Sequence, residues 1–80
     1  MDDRAVLERI NELAKEEHEL FELEAKDGAS PEERARLKDV KVTLDQCWDL
    51  LRQRRARRSA GLDPDDARVR DTKTVEGYVN

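Results

Sequence analysis

Two stretches of helical apolar periodicity are joined by Asp27-Gly28-Ala29-Ser30-Pro31-Glu32-Glu33, and this junction constrains the fold more than any other segment. Ser30, Pro31, Glu32 and Glu33 match the N-cap, N1, N2 and N3 positions of a capping box. The serine hydroxyl accepts from the N3 amide, the Glu33 carboxylate accepts from the N-cap amide, and both acids face the positive end of the helix dipole. Just before it, Gly28 is read as the residue that ends a preceding helix, because glycine adopts a left-handed backbone without steric cost. Lys26 suits that helix's last turn. A link this short returns the second helix antiparallel along the first.

The first helix is expected over about residues 3–27. Val6, Ile10, Leu13, Glu17 and Leu20 recur at spacings of four and three, and Leu7, Ala14 and Phe21 form a second line beside them. Two adjacent lines make a stripe wider than a simple two-stranded seam. The second helix is expected over about residues 31–60, stopped by Gly61. Leu37, Leu44 and Leu51 take one seam position, and Val40 and Cys47 the other. Trp48 and Leu50 flank that seam, with Val42 on the outer side. Folding back about residue 29 pairs positions whose numbers sum to about 58. Ile10 is then expected near Trp48, Phe21 near Leu37, and the seam acid Glu17 opposite Lys41. Leu62 is expected to touch back on the helix. Asp63-Pro64-Asp65-Asp66 resembles another N-cap, followed by a short turn or helix through Arg70. Val75, Tyr78 and Val79 are too few to form a core, so the tail is expected to dock on a neighbouring surface or fray.

The resulting fold class is all-α: an antiparallel two-helix coiled-coil hairpin forming a single domain over 1–80. At 80 residues such a hairpin is marginal alone, and a broad apolar stripe calls for a partner. A second copy, giving a four-helix bundle, is the expected one. The contact residues are Leu7, Ile10, Leu13, Phe21, Leu37, Leu44, Cys47, Trp48 and Leu51.

Charge is segregated along the chain. Residues 1–30 carry a net -6 and residues 52–58 a net +5, within a total of -4. Arg52, Arg54, Arg55, Arg57 and Arg58 make up the basic band, and guanidinium groups are the preferred forks for phosphate and carboxylate. The band is open to three readings: a solvated or salt-bridged face, a protein-binding surface, or a nucleic-acid contact. At 100° per residue the five spread around the helix, no aromatic is interleaved for base stacking, and Asp2, Asp3 and Glu8 lie across the hairpin. Arginines also suit the last turns of a helix. The overall negative charge gives no support to general polyanion binding. Salt-dependent binding, lost on replacing Arg54 and Arg58, is the signature of the nucleic-acid alternative.

Catalytic chemistry finds no set of groups to work with. Cys47 sits in the seam as a small hydrophobe, and His18 falls on the outer face away from it. A di-iron bundle needs an acid three residues before a histidine, and that residue here is Lys15. No cofactor or metal is expected, and the protein is read as non-enzymatic. The acidic start lacks the pattern of a signal peptide and no run approaches a membrane span, so a cytoplasmic protein is expected.

The segment LDQCWDLLRQRRARRSAGLDPD resembles a small actinobacterial family catalogued as a domain of unknown function. The resemblance extends to Ile10-Asn11-Glu12-Leu13, Glu16-Glu17-His18 and the Val75/Tyr78 tail, and Asp45 to Leu51 is its most specific part. It implies a small standalone bacterial protein of the cytoplasm and assigns no role to any residue. Together these features give a non-enzymatic protein-interaction or regulatory module, with nucleic-acid association as the alternative.

Overall fold

The structure, a computed structural model, describes residues 2–71. Two antiparallel helices, α1 (Asp3–Ala25) and α2 (Pro31–Ser59), form a hairpin, followed by a short 3-10 turn at Pro64–Asp66. The Asp2 side chain caps α1 by accepting from the Ala5 amide at 2.8 Å. The capping box of α2 is complete: the Glu33 amide donates to Ser30 Oγ at 3.1 Å and the Ser30 amide to Glu33 Oε1 at 3.0 Å.

Both helices end in the same motif, in which two orphan carbonyls are satisfied by the residues that follow. At α2 the Gly61 amide donates to the Arg58 carbonyl and the Leu62 amide to that of Arg57, with Gly61 at φ 74°. At α1 the Asp27 amide donates to Glu24 and the Gly28 amide to Leu23, so the left-handed residue is Asp27, at φ 60°. This corrects the expectation for Gly28: α1 stops two residues sooner than about residue 27, which moves the left-handed position back by one. Aspartate tolerates that conformation better than most side chains, but glycine adopts it freely. Asp27→Gly should therefore raise the unfolding free energy by about 0.5–1 kcal/mol, and Gly61→Ala should lower it by a similar amount. Urea denaturation followed by helix ellipticity checks both signs.

The core lies along the line between the helices. Val6, Ile10, Leu13 and Leu20 of α1 meet Leu37, Val40, Leu44, Leu50 and Leu51 of α2, with Cys47 and Ala67 half-buried against them. Three contacts across the hairpin fix the antiparallel register: Asp3 with Arg54, Glu16 with Arg36, and the Phe21 ring with Lys41. Glu17 makes no ion pair with Lys41, whose ammonium instead lies 5.8 Å from the Phe21 ring centroid.

After Gly61, Asp63 caps a short turn as expected, accepting from the Asp65 amide at 2.9 Å, but the turn ends at Asp66 and does not reach Arg70. The chain then runs without regular structure over residues 67–71, back along α2. Val75, Tyr78 and Val79 lie outside the described residues. The molecule measures 49 × 25 × 16 Å, and 16 Å is little more than one helix diameter. The hairpin is a slab one helix thick.

Candidate functional site

The arginine band and the apolar stripe fall on different parts of this slab, and the structure treats them differently. Arg54 is the centre of the band. It continues the Val40–Cys47 seam by one heptad and is buried, with 5% of its surface exposed. Its Nε donates to Asp3 Oδ1 at 2.6 Å, and its Nη1 donates to Asp65 Oδ1 at 2.9 Å and to the Pro64 carbonyl at 3.2 Å. Arg58 binds the other oxygen of Asp3. Arg57 donates to the Asp63 carbonyl at 2.6 Å and reaches Asp66 at 3.5 Å. One guanidinium thus ties the start of α1, the end of α2 and the 3-10 turn together. Arg52 is exposed and also engaged. Arg55 is exposed and makes no hydrogen bond or ion pair among the described residues.

Hydrogen bonds from Arg58 and then Arg54 hold the Asp3 carboxyl well below the usual aspartate range. The bond from Arg36 likewise lowers Glu16. A carboxyl depressed in the folded state contributes stability that is fully present above the unfolded value, about 3.9 for aspartate, and is lost as pH falls toward the folded value. Melting temperature should therefore drop as pH is lowered from about 5 to about 2.5, with a shallower drop in Asp3→Asn. Equal slopes in the two proteins, measured by circular dichroism, would remove Asp3 from this role.

A second polar group escaped the sequence reading. Asp49, on α2, is 1% exposed and receives both Nε and Nη2 of Arg70, at 2.9 and 2.7 Å. Gln53 donates to the same carboxylate at 2.9 Å and to the Arg68 carbonyl at 2.6 Å, and Gln46 donates to the Arg70 carbonyl at 3.2 Å. Residues 62–71 are therefore a strap held on α2 by its polar side chains. Beside it Asp49, Arg52, Gln53, Ala56, Arg57 and Arg70 line an open hollow of about 400 Å³. The signal for Arg54 was its heptad spacing from Val40 and Cys47. No periodic signal marked Asp49.

Of the expected contact residues, Ile10, Leu13, Leu37, Leu44 and Leu51 are buried between the helices, and Cys47 is half-buried. Burial pushes the Cys47 thiol up, away from the thiolate form. Leu7, Phe21 and Trp48 are exposed in the single chain, Phe21 by 55% and Trp48 by 45%. These three share one face of the slab. Leu7, Ala14 and Phe21 stand seven apart on α1, Lys41 crosses to Phe21, and Trp48 follows Lys41 by one heptad on α2. Ala14, Glu17, His18, Phe21 and Lys41 line a shallow hollow in that face. Among the described residues there is no cluster of three or more His, Cys, Asp or Glu side chains placed to hold a metal ion, and no helix is long and apolar enough to cross a membrane.

Comparison with known proteins agrees with the resemblance noted in the sequence. Uncharacterized proteins of Mycobacterium bovis and of two Mycobacterium tuberculosis strains are each 47% identical over 78 residues, covering 96% of this chain and 90% of theirs. No solved structure matches. The model of a family described as a protein of unknown function, DUF2630, matches residues 2–80. The chain belongs to the DUF2630 family.

Proposed function

We propose that this chain is a non-enzymatic protein-interaction module whose first partner is a second copy of itself. One observation carries the reading: a slab one helix thick bears Leu7, Ala14, Phe21 and Trp48 along a single face. Domains are built from at least two packed layers, because an apolar face left in water is not stable there. A 49 × 25 Å face is large enough for the roughly 800 Å² per partner that a stable interface buries. Two such slabs face to face give the four-helix bundle expected from the double apolar line.

Charge favours an antiparallel arrangement of the two copies. The hairpin tip, residues 22–33, carries five acids against one lysine, whereas Arg55 lies exposed near the open end, one heptad beyond Trp48. A two-fold axis normal to the helices sets each tip against the partner's open end. The nucleic-acid alternative draws less support from the geometry, since Arg54, Arg57 and Arg58 are occupied by the chain's own acids and carbonyls.

Trp48 is the sole tryptophan and so reports on this face directly. Its emission should be blue-shifted at high protein concentration and move to the red on dilution, as the indole passes from a dry interface into water. Emission typical of exposed indole at every concentration would overturn the proposal.

A further inference from the structure

The strap occupies a surface that reads like a peptide-binding site. Gln46, Asp49 and Gln53 form a line along α2 at spacings of three and four, and they are outside the Leu44–Cys47–Leu51 seam. Gln46 and Gln53 are the only glutamines in the chain. They take two main-chain carbonyls, those of Arg70 and Arg68, two residues apart in the segment that the extended Ala67 leads into. In an extended chain alternate groups point the same way, so one helix face can grip every second residue. Between them Asp49 presents both carboxylate oxygens to one guanidinium, the planar fork that arginine fills and lysine does not.

The first half of the strap is held separately, by Arg54 on Pro64 and Asp65 and by Arg57 on Asp63 and Asp66. Leu62 and Val69 are largely exposed, and Ala67 is the apolar residue that packs on the core. A segment held by polar contacts opens at lower cost than the helices it lies on. A buried carboxylate calls for a cationic partner, and the planar guanidinium of Arg70 meets both of its oxygens at once.

We propose that the Gln46–Asp49–Gln53 face of α2 is a recognition site for an extended, arginine-bearing segment of a partner protein, occupied in cis by residues 68–70. Main-chain carbonyls supply affinity and the Asp49 pocket supplies selectivity, the division of labour also used when a peptide adds to a sheet edge. A free segment competes with a tethered one whose effective concentration is on the order of millimolar, so binding in trans requires the strap to lift. The site shares no residue with the apolar face and stands or falls independently of self-association.

The test uses the full chain with Arg70→Ala and a labelled synthetic peptide spanning residues 62–71. By anisotropy the variant should bind the peptide about tenfold or more tightly than the wild-type chain does, because the cis competitor is weakened. A peptide carrying Arg70→Ala should not bind, and adding Asp49→Asn to the protein should abolish binding of the native peptide. Binding to neither protein, equal binding of the two peptides, or equal binding to variant and wild type would overturn the proposal. Should Arg70→Ala lose its helix ellipticity, the wild-type chain gives the answer by NMR. Excess native peptide should shift the side-chain amide signals of Gln46 and Gln53, while the Arg70→Ala peptide leaves them in place. Unmoved signals with the native peptide would overturn the proposal.

Discussion

Leu51→Ala is expected to leave a large fraction of the chain unfolded at room temperature. Leu51 is 1% exposed and packs in a core of nine buried side chains. Truncating a buried leucine costs about 2–5 kcal/mol through lost transfer energy and the cavity left behind. A core this small rarely supplies more than about 3–5 kcal/mol in total, so the loss is comparable with the whole. Leu23→Ala is the control. At 39% exposed, Leu23 lies outside the inter-helix core, and its removal should cost clearly less than that of Leu51. Urea titration of both variants at one fixed protein concentration makes the comparison, since self-association adds a concentration-dependent term. Near-equal midpoints would mean that the inter-helix line is not the main source of stability.

The second large effect is on association, with little effect on the fold. Trp48→Glu should weaken pairing of two copies by about 2–4 kcal/mol, roughly 30- to 1,000-fold in dissociation constant, as expected for a central aromatic anchor. The single chain should keep its helices, because Trp48 is already 45% exposed there. Opposite outcomes for Leu51 and Trp48, three residues apart on α2 yet on different faces, separate the interior of the hairpin from its outer face.

Where the sequence could be read and where it could not follows from the kind of interaction involved. Periodic burial leaves a repeating trace, so the two helices, the capping box at Ser30 and the stop at Gly61 were legible. Asp27 was not, because a shift of two residues in a helix end moves the left-handed position without altering any pattern. Leu7, Phe21 and Trp48 were legible as one apolar set, but spacing does not separate a side chain that meets the other helix from one beside it. The strap was the largest gap. It is held by glutamine and arginine side chains on main-chain carbonyls, and a carbonyl has no sequence identity. Asp49 therefore carried no signal, and the arginine band stayed open between a salt-bridged face and a partner surface. Arg54 was an intermediate case: its place on the Val40–Cys47 line pointed inward, while its charge suggested water. Its burial depends on Asp3 and Asp65, which lie 51 and 11 residues away.

The central claim is that the apolar face of the slab is closed by a second copy. Sedimentation equilibrium of wild type and Trp48→Glu at micromolar concentration tests it most directly. The wild-type chain should show twice its 9.3 kDa mass, dissociating on dilution, and Trp48→Glu should show the single mass with helicity retained. A wild-type mass of 9.3 kDa throughout, in a fully helical protein, would contradict the account.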